Sequence, residues 1–161
     1  MLPLTEQQIR TSFVNASRKE VSDLALPLDF VETPWERLDY LGWRDRKAPR
    51  RAYAVIPVDD GIVGILFRQA EATPRNRAQC SWCQDVNLTN EVVFYGAKRA
   101  GDAGRKGDTV GTLICADFGC SKNVRMLPPV AYVGFDVEAA RQKRILELRE
   151  RVRGFAREVR G

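Results

Sequence analysis

Four cysteines in two local pairs constrain this chain more than any other feature. Cys80 and Cys83 enclose two residues, 31 residues intervene, and Cys115 and Cys120 enclose four. Zinc prefers four tetrahedral ligands, and a two-residue gap lets one tight turn aim both sulfurs at the same ion. A chain of this length buries enough surface to fold without staples, so its cysteines need another reason. The N-terminus lacks the basic start, apolar run and small-residue cleavage site of a secretory signal, which places the protein in the cytoplasm. In that reducing compartment two such pairs read as metal ligands before disulfides. The competing readings are inert buried thiols and a redox dithiol. Trp82 inside the first pair and the lack of a βαβ context count against redox work. Four thiolates on one zinc ion leave no position for water or substrate, so the expected metal is a single structural Zn2+.

The surrounding chain supplies the elements such a site needs. Thr5 and Gln8 fit a capping box, and Ile9, Phe13 and Ala16 recur at helical spacing, predicting a short helix over about 5–18. Trp35, Leu38, Tyr40, Leu41 and Trp43 crowd into nine residues and are expected in a core or its lid. The basic run Arg44, Arg46, Lys47, Arg50, Arg51 then reads as a solvated connector able to touch an anion. Residues 52–58 and 62–68 are strand-like around Asp59-Asp60-Gly61, a tight hairpin. Polar chain containing Pro74 leads to Cys80.

Residues 91–95 and 108–115 predict a second hairpin whose mobile tip carries Gly101, Gly104 and Gly107 but not the spacing of a phosphate-binding loop. A short helix is expected from Cys120 toward Met126, and a strand over 130–135. Asp136 caps a long helix over about 136–160, with Ile145, Leu148, Val152, Phe155 and Val159 on one stripe. Knuckle, hairpin, strand end and helix start are the parts of a treble-clef zinc finger in the right order. The expected architecture is thus one α+β domain over 1–161. It has antiparallel hairpins, a zinc-binding part at about 78–127 and a long C-terminal helix.

Charge and composition exclude several functions. Without histidine there is no imidazole nucleophile system or general base, and no paired-carboxylate constellation stands out, so an enzyme is not expected. The longest apolar stretch, 61–67, is too short to cross a membrane. The net charge of +5 is graded along the chain. Residues 1–43 carry four basic and seven acidic side chains, whereas 141–160 carry eight basic and three acidic. Such a gradient suggests docking to something acidic.

The segments Cys80-Ser81-Trp82-Cys83 and Leu113-Ile114-Cys115-Ala116-Asp117-Phe118-Gly119-Cys120-Ser121-Lys122-Asn123-Val124-Arg125 resemble the zinc-binding signature of the elongation-factor-G-binding domain. That domain occurs in FusB-type fusidic-acid-resistance proteins, and the four-residue gap is its pattern. Phe13-Val14-Asn15 and the segment Trp35 to Asp45 are similar to its upstream parts. The resemblance spans about residue 5 to the end. It implies a treble clef with Cys80, Cys83, Cys115 and Cys120 as ligands. It also implies a non-enzymatic translation accessory that binds elongation factor G and promotes its release from ribosomes. The resistance proteins carry a further N-terminal helical region, and this chain has space for little more than one helix before the shared part.

The docking surface must be argued physically. Interfaces favour aromatic and arginine anchors, which singles out Trp82, Phe118 and Arg125 beside the ligands, with Lys122 as a further contact. Trp82 and Phe118 can equally pack inward over the zinc. The expected partner is elongation factor G, with the ribosome or ribosomal RNA as further contacts and no membrane. A monomer is expected, since so short an apolar seam can be satisfied within one chain. The alternative is a zinc-finger RNA- or DNA-binding module acting through the basic C-terminal helix and the 44–51 loop.

Overall fold

The computed structural model describes residues 1–71, 78–86 and 90–161. Pro74 and its polar neighbours lie outside the described residues. The centre of the molecule is a five-stranded antiparallel sheet in the order β1-β2-β3-β4-β5, comprising Leu41–Arg44, Arg51–Val58, Gly61–Gln69, Val92–Lys98 and Thr109–Cys115. Each strand pairs with the one that follows it in the chain. Between β2 and β3 the turn at Asp59-Asp60 ends on Gly61 at φ +140°, as the Asp-Gly pair predicts.

Residues in β2 and β3 read as nearly continuous apolar runs because both faces of the sheet are covered. Ala52, Ala54, Ile56, Val63, Ile65 and Phe67 face one layer, where helix α5 (Val137–Arg160) lays down Ile145, Leu148, Val152, Phe155 and Val159. This is the apolar stripe read from the sequence, and every member is buried. Asp136 caps α5 by accepting from the Ala139 amide at 2.8 Å. Tyr53, Val55 and Leu66 face the other layer, packed under Ile9, Leu24, Leu41 and Trp43.

The N-terminal helix is shorter than its periodicity predicts. Its capping box forms, but α1 covers Glu6–Thr11 and a second short helix, α2, covers Arg18–Ser22. A tertiary contact takes the intervening residues: the Val14 amide donates to Gly64 O at 3.0 Å, and the Gly64 amide donates to Ser12 O at 2.9 Å. Strands β3 and β4 pair at Arg68↔Gly96 and Gln69↔Tyr95 and then diverge. Asn15 fills the fork, its Nδ2 donating to Leu66 O and Lys98 O at 3.0 Å each and its Oδ1 accepting from the Leu66 amide at 2.8 Å.

Two further expectations are corrected. The glycine-rich tip of the second hairpin closes into helix α3 (Gly101–Arg105). Gly101 at φ +65° and Gly107 at φ +101° bracket it and make its entry and exit turns. Residues 130–135 form no strand. A turn takes them instead, with the Phe135 amide donating to Tyr132 O at 3.1 Å and Gly134 at φ +84° leading into α5.

Candidate metal centre

Three elements deliver the cysteines to one point. A turn after residue 79 carries Cys80 and Cys83, the last residue of β5 is Cys115, and the first residue of α4 (Cys120–Arg125) is Cys120. All four are buried, and their sulfurs lie within 4.8 Å of one another. Cys80 Sγ is 3.6 Å from Cys120 Sγ, and Cys83 Sγ is 3.7 Å from Cys115 Sγ. Zn–S bonds of about 2.3 Å in a tetrahedron give S···S edges of about 3.8 Å, so the cluster has the dimensions of one zinc site.

The acid–base chemistry of the donor set agrees. Four sulfurs at this spacing compete for protons. Hydrogen bonds from Cys115, Cys120 and Cys83 hold the Cys80 thiol far below its ordinary range, and bonds from Cys115 and Cys120 bring Cys83 down to about 7. Cys115, although aided by the Cys120 thiol, is pushed up by its bonds to Cys80 and Cys83, and Cys120 is pushed up by bonds to the other three. A divalent cation among four thiolates removes this conflict. The residues therefore fit one Zn2+, which with four sulfur ligands is structural.

Around the ligands sit donors that offset the surplus negative charge of such a site. The Cys83 amide points at Cys80 Sγ at 3.5 Å. Asn123 Nδ2 reaches Cys83 Sγ at 3.7 Å and Cys115 Sγ at 3.6 Å, and Asn90 Nδ2 reaches Cys115 Sγ at 3.7 Å. Such contacts orient ligands and tune metal affinity. Neither asparagine stands out in the sequence. Asn123, three residues past a ligand on a helix otherwise turned inward, is the one with a readable signal.

The segment 35–45 explains its place in the signature by what it touches. Tyr40 donates its hydroxyl to Phe118 O at 2.9 Å. Burial, reinforced by charge on Cys120, pushes its pKa well up, so the phenol stays a neutral donor. The Asp39 amide donates to Ser121 Oγ at 3.0 Å, and its carboxylate pairs with Arg125 of α4 and Arg149 of α5. Gly42 leaves space for Phe118, since a Cβ there would come within 2.6 Å of Phe118 Cδ1.

These contacts revise the expected docking residues. Trp82 is 1% exposed and Phe118 6%, so neither side chain faces a partner. Both belong to an aromatic cluster with Tyr40, Phe67, Tyr95 and Phe155. The metal-fixed turns aim them inward, and Phe118 adopts φ +58° to do so, a conformation rare for a bulky residue. Among the described residues the buried Trp82 indole N–H has no partner, a local cost of about 1–3 kcal/mol set against the packing of the ring. Arg125 serves Asp39 and the Ser121 carbonyl. Lys122 is exposed on α4.

The basic helix is also occupied internally. Each of the eight cations of α5 has a carboxylate in ion-pair reach. Asp85, Asp39, Asp59 and Asp60 supply four of these partners from distant parts of the chain. Among the described residues no helix is long and apolar enough to cross a membrane.

The solved structure of the fusidic acid resistance protein FusC is 22% identical with a TM-score of 0.48. The match covers 67% of this chain and 52% of that one, so the chain spans about half the length of that structure. A search of curated proteins returns no match. The family model described as "FBP C-terminal treble-clef zinc-finger" matches residues 8–159, and with the four-cysteine centre in place the chain belongs to that family.

Proposed function

We propose that the protein is a non-enzymatic translation accessory that binds elongation factor G through a surface held rigid by the zinc centre and promotes its release from the ribosome. Membership of the treble-clef family over nearly the whole chain carries this reading, together with the signature residues that suggested the partner. Four cysteine ligands close the metal, which supports a scaffolding role for it.

The docking face follows from exposure. Directly after α4 the chain presents Met126, Leu127 (66% exposed), Val130, Tyr132 and Val133 to solvent. Contiguous exposed apolar side chains next to a rigid unit are the mark of a protein–protein surface. Lys122 lies on the same side of the sequence, one turn before this segment, and supplies a cation at its rim. The nucleic-acid alternative through the C-terminal helix is weakened by the internal ion pairs of α5.

The test is isothermal titration of purified elongation factor G with the zinc-loaded chain in the presence of nuclease. A one-to-one complex is expected, lost in Cys80→Ser/Cys83→Ser. It should be weakened about tenfold or more by Leu127→Ala/Tyr132→Ala, as for central apolar anchors. A folded, zinc-loaded chain that shows no binding to the factor would overturn the proposal.

A further inference from the structure

Each of the eight cations of α5 has a carboxylate in ion-pair reach, half of them from other parts of the chain, so the positive charge left open to a ligand lies elsewhere. It concentrates in the β1–β2 connection, where Arg44, Arg46, Lys47, Arg50 and Arg51 are opposed by Asp45 alone. Asp45 is buried and committed to structure. It accepts from the Tyr53 hydroxyl at 2.7 Å and from the Lys47 and Ala48 amides at 2.8 and 3.1 Å.

Two adjoining cavities open beside this connection and share Arg68. One, of about 580 Å3, is lined by Ala48, Pro49, Arg50, Arg51, Arg68 and Gln69, and among the described residues no carboxylate stands in its wall. The other, of about 480 Å3, sits at the fork between β3 and β4. It adds Lys98, Arg99 and Arg105 against the single carboxylate of Glu20. Gly96 and Gly101 line it with open space where a side chain would stand, so a ligand can approach the backbone closely. Arg50, Arg68, Arg99 and Arg105 have ion-pair partners in Glu71, Glu20, Glu158 and Asp102, but among the described residues no carboxylate pairs with Arg46, Lys47 or Lys98. On the same sheet face as Gly96, two residues along β4, Phe94 stands 42% exposed. The tip of its ring lies over Gly111, where a Cβ would meet Phe94 Cζ at 2.2 Å.

We propose that this surface binds single-stranded RNA. Phosphates run from the 44–51 connection across Arg68 to Lys98, and a base stacks on Phe94. A row of cations spread over two connected clefts matches a chain of phosphates better than one isolated anion. An exposed aromatic on a glycine-flattened sheet face is the complement of an unpaired base. An acidic protein segment would satisfy the cations but leave Phe94 without a role. The site is independent of the elongation-factor-G reading, and its test contains no factor.

Fluorescence anisotropy of a short labelled oligouridine with the full zinc-loaded chain, repeated over a salt series, reads it directly. Affinity should fall with salt by about 0.7 log units per log unit of salt for each phosphate contacted. The triple variant Arg46→Gln/Lys47→Gln/Lys98→Gln should reduce that slope by about 2. Phe94→Ala should weaken binding about tenfold and leave the slope unchanged. Lys143→Gln/Arg153→Gln on α5 should bind like the parent. The proposal is overturned if the oligonucleotide does not bind at low salt or if the triple variant keeps the parent slope. It is equally overturned if the α5 variant loses as much affinity, or if a polyglutamate peptide binds as tightly as the RNA. Unchanged zinc content and thermal midpoint in each variant separate lost contacts from lost fold.

Discussion

Replacing Asp39 by Asn keeps the shape of the side chain and removes its charge from a site that joins three parts of the fold. The Asp39 side chain is fully buried, and its partners Arg125 and Arg149 are 23% and 42% exposed. Deleting one partner of a buried ion pair costs about 3–5 kcal/mol, and exposed pairs contribute at most about 1 kcal/mol. With a buried carboxylate but a solvent-screened Arg149, the expected loss is about 2 kcal/mol. For a domain of this size that lowers Tm by about 4–8 °C.

Burial raises the Asp39 pKa, but hydrogen bonds and charge from Arg125 and Arg149 outweigh it and hold the carboxyl below its usual range. A folded-state pKa below the unfolded one means that the stabilisation is full above about pH 4 and lost as pH falls through the folded value. Thermal and urea melts of parent and Asp39→Asn, with zinc present, should therefore show a constant gap from neutral pH to about pH 5 that closes in stronger acid. A gap under about 0.5 kcal/mol at neutral pH would refute the clamp. So would a gap that acid leaves unchanged, or a double-mutant cycle with Arg125→Gln that shows no coupling.

Other outcomes follow from the same structure. The purified chain should carry one zinc per molecule, and cobalt substitution should give the spectrum of a tetrahedral thiolate site. A strong chelator should melt the 78–127 unit, since structural zinc contributes on the order of 10 kcal/mol. Acid should release the metal as the thiolates protonate, checked by following zinc with a colorimetric dye against pH. Gly42→Ala forces a Cβ against Phe118 and should cost about 1–3 kcal/mol in urea melts. Gly154→Ala, on an open part of α5, should stabilise by about 0.5–1 kcal/mol in the same assay; equal effects at the two glycines would contradict the packing described.

Local rules made part of this molecule readable from its residues. The Asp59-Asp60-Gly61 turn, the α5 stripe and the cysteine spacing are each specified within a few residues, and each matches the structure. The failures have a common cause in long-range contacts. Helix α1 stops where Gly64, some fifty residues on, competes for the backbone of Ser12 and Val14. Residues 130–135 have strand-like composition, but a strand needs an edge to pair with, and composition does not say whether one is within reach. Trp82 and Phe118 looked like anchors because they flank the ligands; only the direction of the metal-fixed turns reveals that they point inward. The basic character of α5 suggested a polyanion, and the acids that answer it come from residues 39, 59, 60 and 85, whose positions no spacing rule relates to the helix.

The order of the sheet also bears on how the chain is made. Strands β1 to β5 emerge from the ribosome in the sequence in which they pair, so each finds its neighbour already synthesised. Helix α5, which roofs Phe67, Trp82 and the rest of the aromatic cluster, follows all of them. At about 5–20 residues per second its 24 residues take on the order of seconds to appear. During that interval the nascent sheet carries an uncovered apolar face. Ribosomes stalled within residues 137–160 should therefore hold a chain that chaperones bind, and completion of the helix should release it.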